Sequence, residues 1–111
     1  MRVYISGPVT GLPKEEYLRA FEEAENNLQA AGHETFNPAK SHSLMPKWFT
    51  HDNYMQLCKR EMEMCDAMIQ LPGWEQSKGC QIEYHYAWSL NMKIYTEIPK
   101  EDDDVYKDAE A

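Results

Sequence analysis

The chain has 111 residues, 19 of them acidic and 11 basic, so its formal net charge at pH 7 is −8. This length suits a single domain with one small core, and the acidic balance argues against nucleic-acid polymers and anionic membranes as partners. No apolar run approaches the length of a membrane span, and the N-terminus leads into an apolar strand pattern rather than a secretion signal. We therefore expect a cytoplasmic protein.

Neither the cysteines nor the histidines form a metal-binding pattern. The three cysteines, Cys58, Cys65 and Cys80, include no CxxC pair, and an odd number suits a reducing compartment where they act as small core residues. The four histidines show no HxxxH or HExxH spacing. We therefore predict no metal and no cofactor.

The first third of the chain predicts a strand, a loop, a helix and a second strand. Residues 2–6 are mostly strand formers, and residues 6–13 hold two glycines and two prolines, which predicts a loop. Over residues 14–31, apolar side chains recur at three- and four-residue spacing, which predicts a helix that ends at Gly32. Residues 33–36 then predict a second strand.

The rest of the chain continues this alternation. Thr50 is a suitable helix N-cap, and Pro72 and Gly73 break regular structure before a second N-cap residue, Ser77. In order, the patterns predict a long connection over 39–49, a helix over 50–64, a strand over 67–71, a helix over 77–90 and a strand over 92–98.

Strands and helices that alternate with crossovers of this length predict an α/β fold, in which helices cover both faces of a parallel sheet. We predict a three-layer, flavodoxin- or Rossmann-like domain over residues 1–99, with about four strands in the order 2-1-3-4. Residues 100–111 hold six acids without apolar periodicity, which predicts a mobile acidic tail. The strand order places a switch point, where such folds bind ligands, between the first and third strands.

One segment joins this predicted ligand edge to a carboxylate. Glu83 follows Gly79 by four residues, so both lie on one helix face, one turn apart. The glycine leaves space for a sugar ring, and a carboxylate there can attack an anomeric carbon. The helix start at Ser77 offers backbone N–H groups to a phosphate. Spacing alone favours a plainer alternative, in which Glu83 is a solvated acid and Gly79 a packing or capping glycine.

Four motifs in order carry a resemblance. They are Ser-x-Gly-x-x-x-Glu-x-x-x-Ala over 77–87, VYISGPVTG over 3–11, AAGHE over 30–34 with Asn37-Pro38, and CDA over 65–67 with LPGW over 71–74. Together they resemble the nucleoside 2-deoxyribosyltransferase superfamily, over residues 2 to about 96. The resemblance is to a small phage and bacterial branch whose members mostly have no assigned activity.

For catalysis, the resemblance implies that Glu83 is the nucleophile and that Tyr4 positions Glu83 or the sugar. Relatives usually carry an aspartate that helps protonate the leaving base, and the matching position here is Cys58, which is a poor proton donor at neutral pH. Asp52, about a turn and a half earlier, is the predicted substitute.

For substrate binding, the resemblance implies that the strand end and the two loops hold the nucleotide. Ser6 and Gly7 would line the sugar pocket, and Ser77 with Gly79 would face the 5′ end. Trp74 would stack on the base or shape the turn.

The first hypothesis is an enzyme that cleaves or transfers at the N-glycosidic bond of a (deoxy)nucleoside or its 5′-monophosphate, through a glycosyl ester on Glu83. The alternative is a non-catalytic module that binds or sequesters a nucleotide on the same fold. Residues 80–90 are apolar nearly all round, so we also expect a homo-oligomer, most simply a dimer, with this helix near the interface.

Overall fold

The computed structural model describes residues 1–100. Residues 101–111, nearly all of the predicted acidic tail, lie outside the described residues. Over the described part of the chain, no helix combines the length and the apolar character that a membrane span needs.

Residues 1–100 contain four strands and four helices, and two of the helices follow each other between the second and third strands. Their bounds are β1 Arg2–Ser6, α1 Lys14–Ala30, β2 Glu34–Phe36, α2 Pro38–His42, α3 His51–Glu63, β3 Ala67–Gln70, α4 Lys78–Ser89 and β4 Lys93–Tyr95. A single 3₁₀ turn, Trp74–Gln76, lies between β3 and α4.

The strands form one parallel sheet in the order β2-β1-β3-β4, which confirms the predicted order 2-1-3-4. Each crossover contains a helix, as a parallel connection requires. β1 is central, and Val3, Tyr4 and Ile5 are fully buried within it. Neighbouring residues of β1 therefore face opposite layers of the protein.

Two apolar cores lie on opposite faces of the sheet, so the fold has the three layers predicted. On one face, Val3 and Ile5 pack with Phe21 and Leu28 of α1. On the other face, Tyr4 and Met68 pack with Cys58 and Met62 of α3 and Ala87 of α4. The buried residues of α1, Phe21, Ala24 and Leu28, all belong to its predicted apolar stripe, although Ala20 of the same stripe is exposed.

The segment predicted as an uninterrupted connection over 39–49 instead contains the end of a helix, α2. The Asn37 side chain accepts a hydrogen bond from the Lys40 backbone N–H, and Pro38 occupies the first helical turn. An asparagine cap followed by proline is a helix start signal, but the same two residues also end a strand. The prediction of a loop was therefore wrong for residues 39–42.

The loops after β1 and β3 meet at one edge of the sheet. The Leu71 N–H donates to the Ser6 carbonyl oxygen at 2.8 Å. Gly73 has a φ of +91°, and a Cβ there would lie 3.2 Å from Cγ of Pro8. Glycine therefore allows the turn before α4 to pack against the loop that follows β1.

Candidate active site

A cavity of about 370 Å³ opens beside the carboxyl end of β1. Its walls come from the loop after β1, from α1 and α2, and from the first turns of α3 and α4. The volume lies in the range of small-molecule sites, and the position is the expected one for a ligand in an open parallel sheet.

Glu83 lies in the wall of this cavity although its side chain is almost fully withdrawn from solvent, with 7% of the residue exposed. The Tyr4 hydroxyl donates to Oε2 at 2.5 Å, and the Ser6 hydroxyl donates to Oε1 at 2.7 Å. Each carboxylate oxygen thus accepts one hydrogen bond from β1. These bonds fix the orientation of the carboxylate and leave each oxygen a further lone pair.

Two opposing effects act on the ionisation of Glu83. Burial raises the pKa of its carboxyl above the ordinary value, and the hydrogen bonds from Tyr4 and Ser6 act in the lowering direction. Burial and the charge of Glu83 hold the pKa of Tyr4 well above its usual range. Tyr4 therefore keeps its proton and remains a donor to Glu83.

Gly79 lies one turn before Glu83 on α4 and also lines the cavity. A Cβ at Gly79 would meet only Met55 Sδ and Ser77 Oγ, each at 4.0 Å. No packing contact therefore demands a glycine here, and its missing side chain enlarges the cavity near Glu83.

Ser77 and Gly7 complete the part of the predicted site that lies at the cavity. The Ser77 side chain accepts from the Cys80 N–H at 3.3 Å and so caps α4, as predicted from sequence. Gly7 approaches Leu71 and Phe21 so closely that a Cβ would lie 3.0 to 3.1 Å from their side chains. Both residues line the cavity.

Cys58 lies between the core and the cavity, close to Tyr4 and Glu83. Burial and then the charge of Glu83 raise the pKa of its thiol far above the ordinary value. The thiol stays neutral and holds its proton tightly, so it is unsuited to donate a proton to a leaving base.

Three predicted site residues, Ser6, Trp74 and Asp52, do not line the cavity. Ser6 was predicted to line the sugar pocket, but it is buried in β1 and its hydroxyl is directed to Glu83. The Trp74 ring stacks on Tyr84, with ring centroids 5.1 Å apart and an angle of 24° between the planes. Asp52 is exposed in the first turn of α3, while its neighbour His51 lines the cavity instead. The helical periodicity of α3 turns Asp52 away when His51, Tyr54 and Met55 face inward.

Several polar groups in the cavity wall were not predicted from the sequence, above all His42, His51, Tyr54 and Lys14. The signal for His42 was its four-residue spacing from Pro38, which places both on one face of α2. If Asn37-Pro38 is read as a helix start, His42 is predicted to lie on the same helix face as Pro38. His42, Cys58 and Glu61 also form a group, within the described residues, whose potential metal-ligand atoms all lie within 4.8 Å of one another.

Among the solved structures that share this fold are two enzymes. A 2-deoxyribosyltransferase of Bacillus psychrosaccharolyticus superposes with a TM-score of 0.66 at 15% sequence identity, over 90% of this chain and 77% of that one. The CMP N-glycosidase of Clostridium botulinum superposes with a TM-score of 0.58 at 26% identity, over 85% of this chain and 66% of that one. This chain therefore spans slightly less than two thirds of the glycosidase. Both matches confirm the resemblance at the level of the fold.

Among curated proteins, no sequence matches this chain. A family model described as "Domain of unknown function (DUF4406)" matches residues 1–96. That match covers most of the 111 residues, and the chain therefore belongs to the DUF4406 family.

Proposed function

We propose that this protein cleaves or transfers at the N-glycosidic bond of a (deoxy)nucleoside or nucleoside 5′-monophosphate, with Glu83 as the nucleophile. One observation carries the proposal. A buried carboxylate in the wall of a ligand-sized cavity accepts hydrogen bonds from two hydroxyls of β1. A structural acid on a helix surface needs neither burial nor two donors from the central strand, whereas a nucleophile must be held in one orientation.

The reaction would proceed in two displacements at C1′. A lone pair of a Glu83 oxygen attacks C1′ as the C1′–N bond breaks, and the bonding pair leaves with the base, which takes up a proton. The sugar is then held as an ester of Glu83. In hydrolysis, water attacks C1′, loses a proton and releases the carboxylate. In transfer, a nitrogen of a second base takes the place of the water.

The groups at the start of α4 and on α1 support a 5′-phosphate on the substrate. The α4 N-terminus, where Ser77 and Gly79 line the cavity, presents a positive dipole end. Lys14 is the one lysine or arginine among the described residues that line the cavity. The likeness to a CMP N-glycosidase at 26% identity favours a nucleotide over a free nucleoside.

The test is base release from a panel of nucleosides and 5′-monophosphates by wild type and Glu83→Gln. Glutamine keeps the shape of the side chain but is not a nucleophile, so release should fall by orders of magnitude while nucleotide binding persists. The control is Glu75→Gln, because Glu75 is exposed in the 3₁₀ turn before α4. Equal turnover by wild type and Glu83→Gln would refute the mechanism.

Covalent trapping provides a second, independent readout. A 2′-fluoro nucleotide slows breakdown of the ester, so wild type should gain the mass of one sugar phosphate, and the labelled peptide should contain Glu83. Label on another carboxylate would assign the nucleophile to that residue instead.

The alternative function is a module that binds a nucleotide without cleaving it. The observation in its favour is Cys58, a tightly protonated thiol at the position where the superfamily resemblance places an acid. Calorimetric titration with the same panel separates the two functions. Tight binding without base release by wild type would favour the binding module.

A further inference from the structure

A second pair of ionisable side chains, His42 and Glu61, lies beside the cavity, and His42 is the member of the pair that lines its wall. His42 Nε2 is 2.9 Å from Glu61 Oε1, and their side chains are only 10% and 6% exposed. His42 comes from α2 and Glu61 from α3, 19 residues later. A buried carboxylate is costly unless a partner compensates it, and among the described residues His42 is that partner.

The pair fixes which imidazole nitrogen is available for proton exchange. A carboxylate only accepts hydrogen bonds, so the nitrogen that faces Glu61, Nε2, carries a proton. Nδ1 is then the nitrogen that can take up or release a second proton. The Tyr54 ring, whose centroid is 5.4 Å from that of His42, holds the imidazole from another side. Glu61 and Tyr54 thus orient the His42 ring, which lines the cavity.

We propose that His42, as an imidazolium held by Glu61, is the general acid that protonates the leaving base. This inference rests on the function proposed above. As the C1′–N bond breaks, Nδ1–H gives its proton to the base, and His42 becomes neutral. When water attacks C1′, neutral His42 accepts the proton that the water loses. Each turnover thus consumes one water and returns His42 to its starting state.

The other groups near Glu83 are poorly suited to this step. Tyr4 directs its proton to Glu83, and Cys58 holds its proton too tightly. His51 lines the cavity but is exposed at the first residue of α3. Among the described residues, His42 is the histidine with a buried carboxylate partner, an arrangement that orients an imidazole for proton transfer. Glu61 would act through His42 and is therefore a positioning residue.

The experiment compares two leaving groups on the same sugar. The first substrate is the nucleoside monophosphate that wild type cleaves fastest. The second is the matching 4-nitrophenyl glycoside 5-phosphate, whose phenolate leaves as a stable anion without a proton. His42→Gln should slow base release about 10²–10⁴-fold, the usual contribution of a general acid, and should change release of 4-nitrophenolate less than about threefold. Glu61→Gln should show the same contrast with a smaller loss.

Glu83→Gln is the matched control, because a lost nucleophile should slow both substrates. Since His42→Gln leaves Glu61 buried without its partner, the double variant His42→Gln/Glu61→Gln is made as well. Two neutral amides can hydrogen-bond to each other, so this variant should fold and keep the leaving-group contrast. Thermal melting and binding of the nucleotide check the fold of each variant.

The outcomes separate the two ideas. Equal slowing of both substrates by folded His42→Gln refutes the general acid and leaves Glu83 as nucleophile. A wild type that cleaves neither substrate refutes both the proposed function and this inference. Loss of base release with a chelator, restored by Zn²⁺, would also overturn the inference, because His42, Cys58 and Glu61 would then be metal ligands.

Discussion

Replacement of Gly79 by alanine should separate the needs of the fold from those of the ligand. Gly79 is the second residue of α4, and the nearest atoms to an added Cβ are 4.0 Å away. Alanine in a helix is more stable than glycine by up to about 1 kcal/mol. In a domain of this size, 1 kcal/mol shifts the melting temperature by about 4–8 °C. Gly79→Ala should therefore fold normally and melt a few degrees higher than wild type.

The same methyl group should weaken ligand binding. It would project into the cavity one turn from Glu83, where we propose that the sugar binds. A methyl inserted into a filled site costs about 1–3 kcal/mol, so the dissociation constant for a nucleotide should rise roughly 5- to 150-fold. Differential scanning calorimetry measures the first effect, and titration calorimetry with CMP measures the second.

Gly7→Ala is the matched control, since Gly7 also lines the cavity. Its added Cβ would lie 3.0 Å from Leu71 Cδ1 and 3.1 Å from the Phe21 ring. This alanine should lower the melting temperature, because the crowded core must shift. Two results would refute the idea that Gly79 makes room for the ligand. Gly79→Ala could melt below wild type, or it could melt higher and still bind CMP as tightly as wild type does.

Three further predictions concern charge and assembly. Because burial raises the pKa of Glu83 in the folded state, the cost of its charge grows as pH rises above the ordinary carboxyl range. Glu83→Gln should therefore melt above wild type at neutral pH, and thermal melts should show this gain vanish toward about pH 4.5. In titration calorimetry, Lys14→Gln should weaken the binding of CMP more than the binding of cytidine. Lys78 is exposed and lies outside the cavity wall, so Lys78→Gln should not show this difference. Trp88 is 63% exposed on α4, and we expect it to lie in a dimer interface, so the Trp88→Asp variant should sediment as a monomer or precipitate. The control variant Trp48→Asp, at another exposed tryptophan, should remain a dimer. A wild type that sediments as a monomer at micromolar concentration would disprove the dimer.

The alternation of strands and helices was readable from the sequence, because strand and helix periodicities differ and are local. The strand order 2-1-3-4, which the structure confirms, was predicted from the assignment to a flavodoxin- or Rossmann-like fold, since the single hand of parallel crossovers restricts the order without fixing it. The juxtaposition of Gly79 and Glu83 is equally local, since four residues make about one helical turn. The position of Tyr4 beside Glu83 was anticipated only through the superfamily resemblance, because 79 residues separate the two.

The polar side chains that share the cavity with Glu83 are brought together by tertiary packing and could not be predicted from local patterns. His42 of α2 and Glu61 of α3 meet across the fold, and no pattern in either helix encodes that contact. Trp74 turns to Tyr84 instead of the cavity, since an aromatic ring in a turn can pack in several directions. Asp52 and His51 are adjacent in sequence, yet only His51 lines the cavity. The rotation of α3 about its axis makes that choice, and it is set by the core that the whole chain builds.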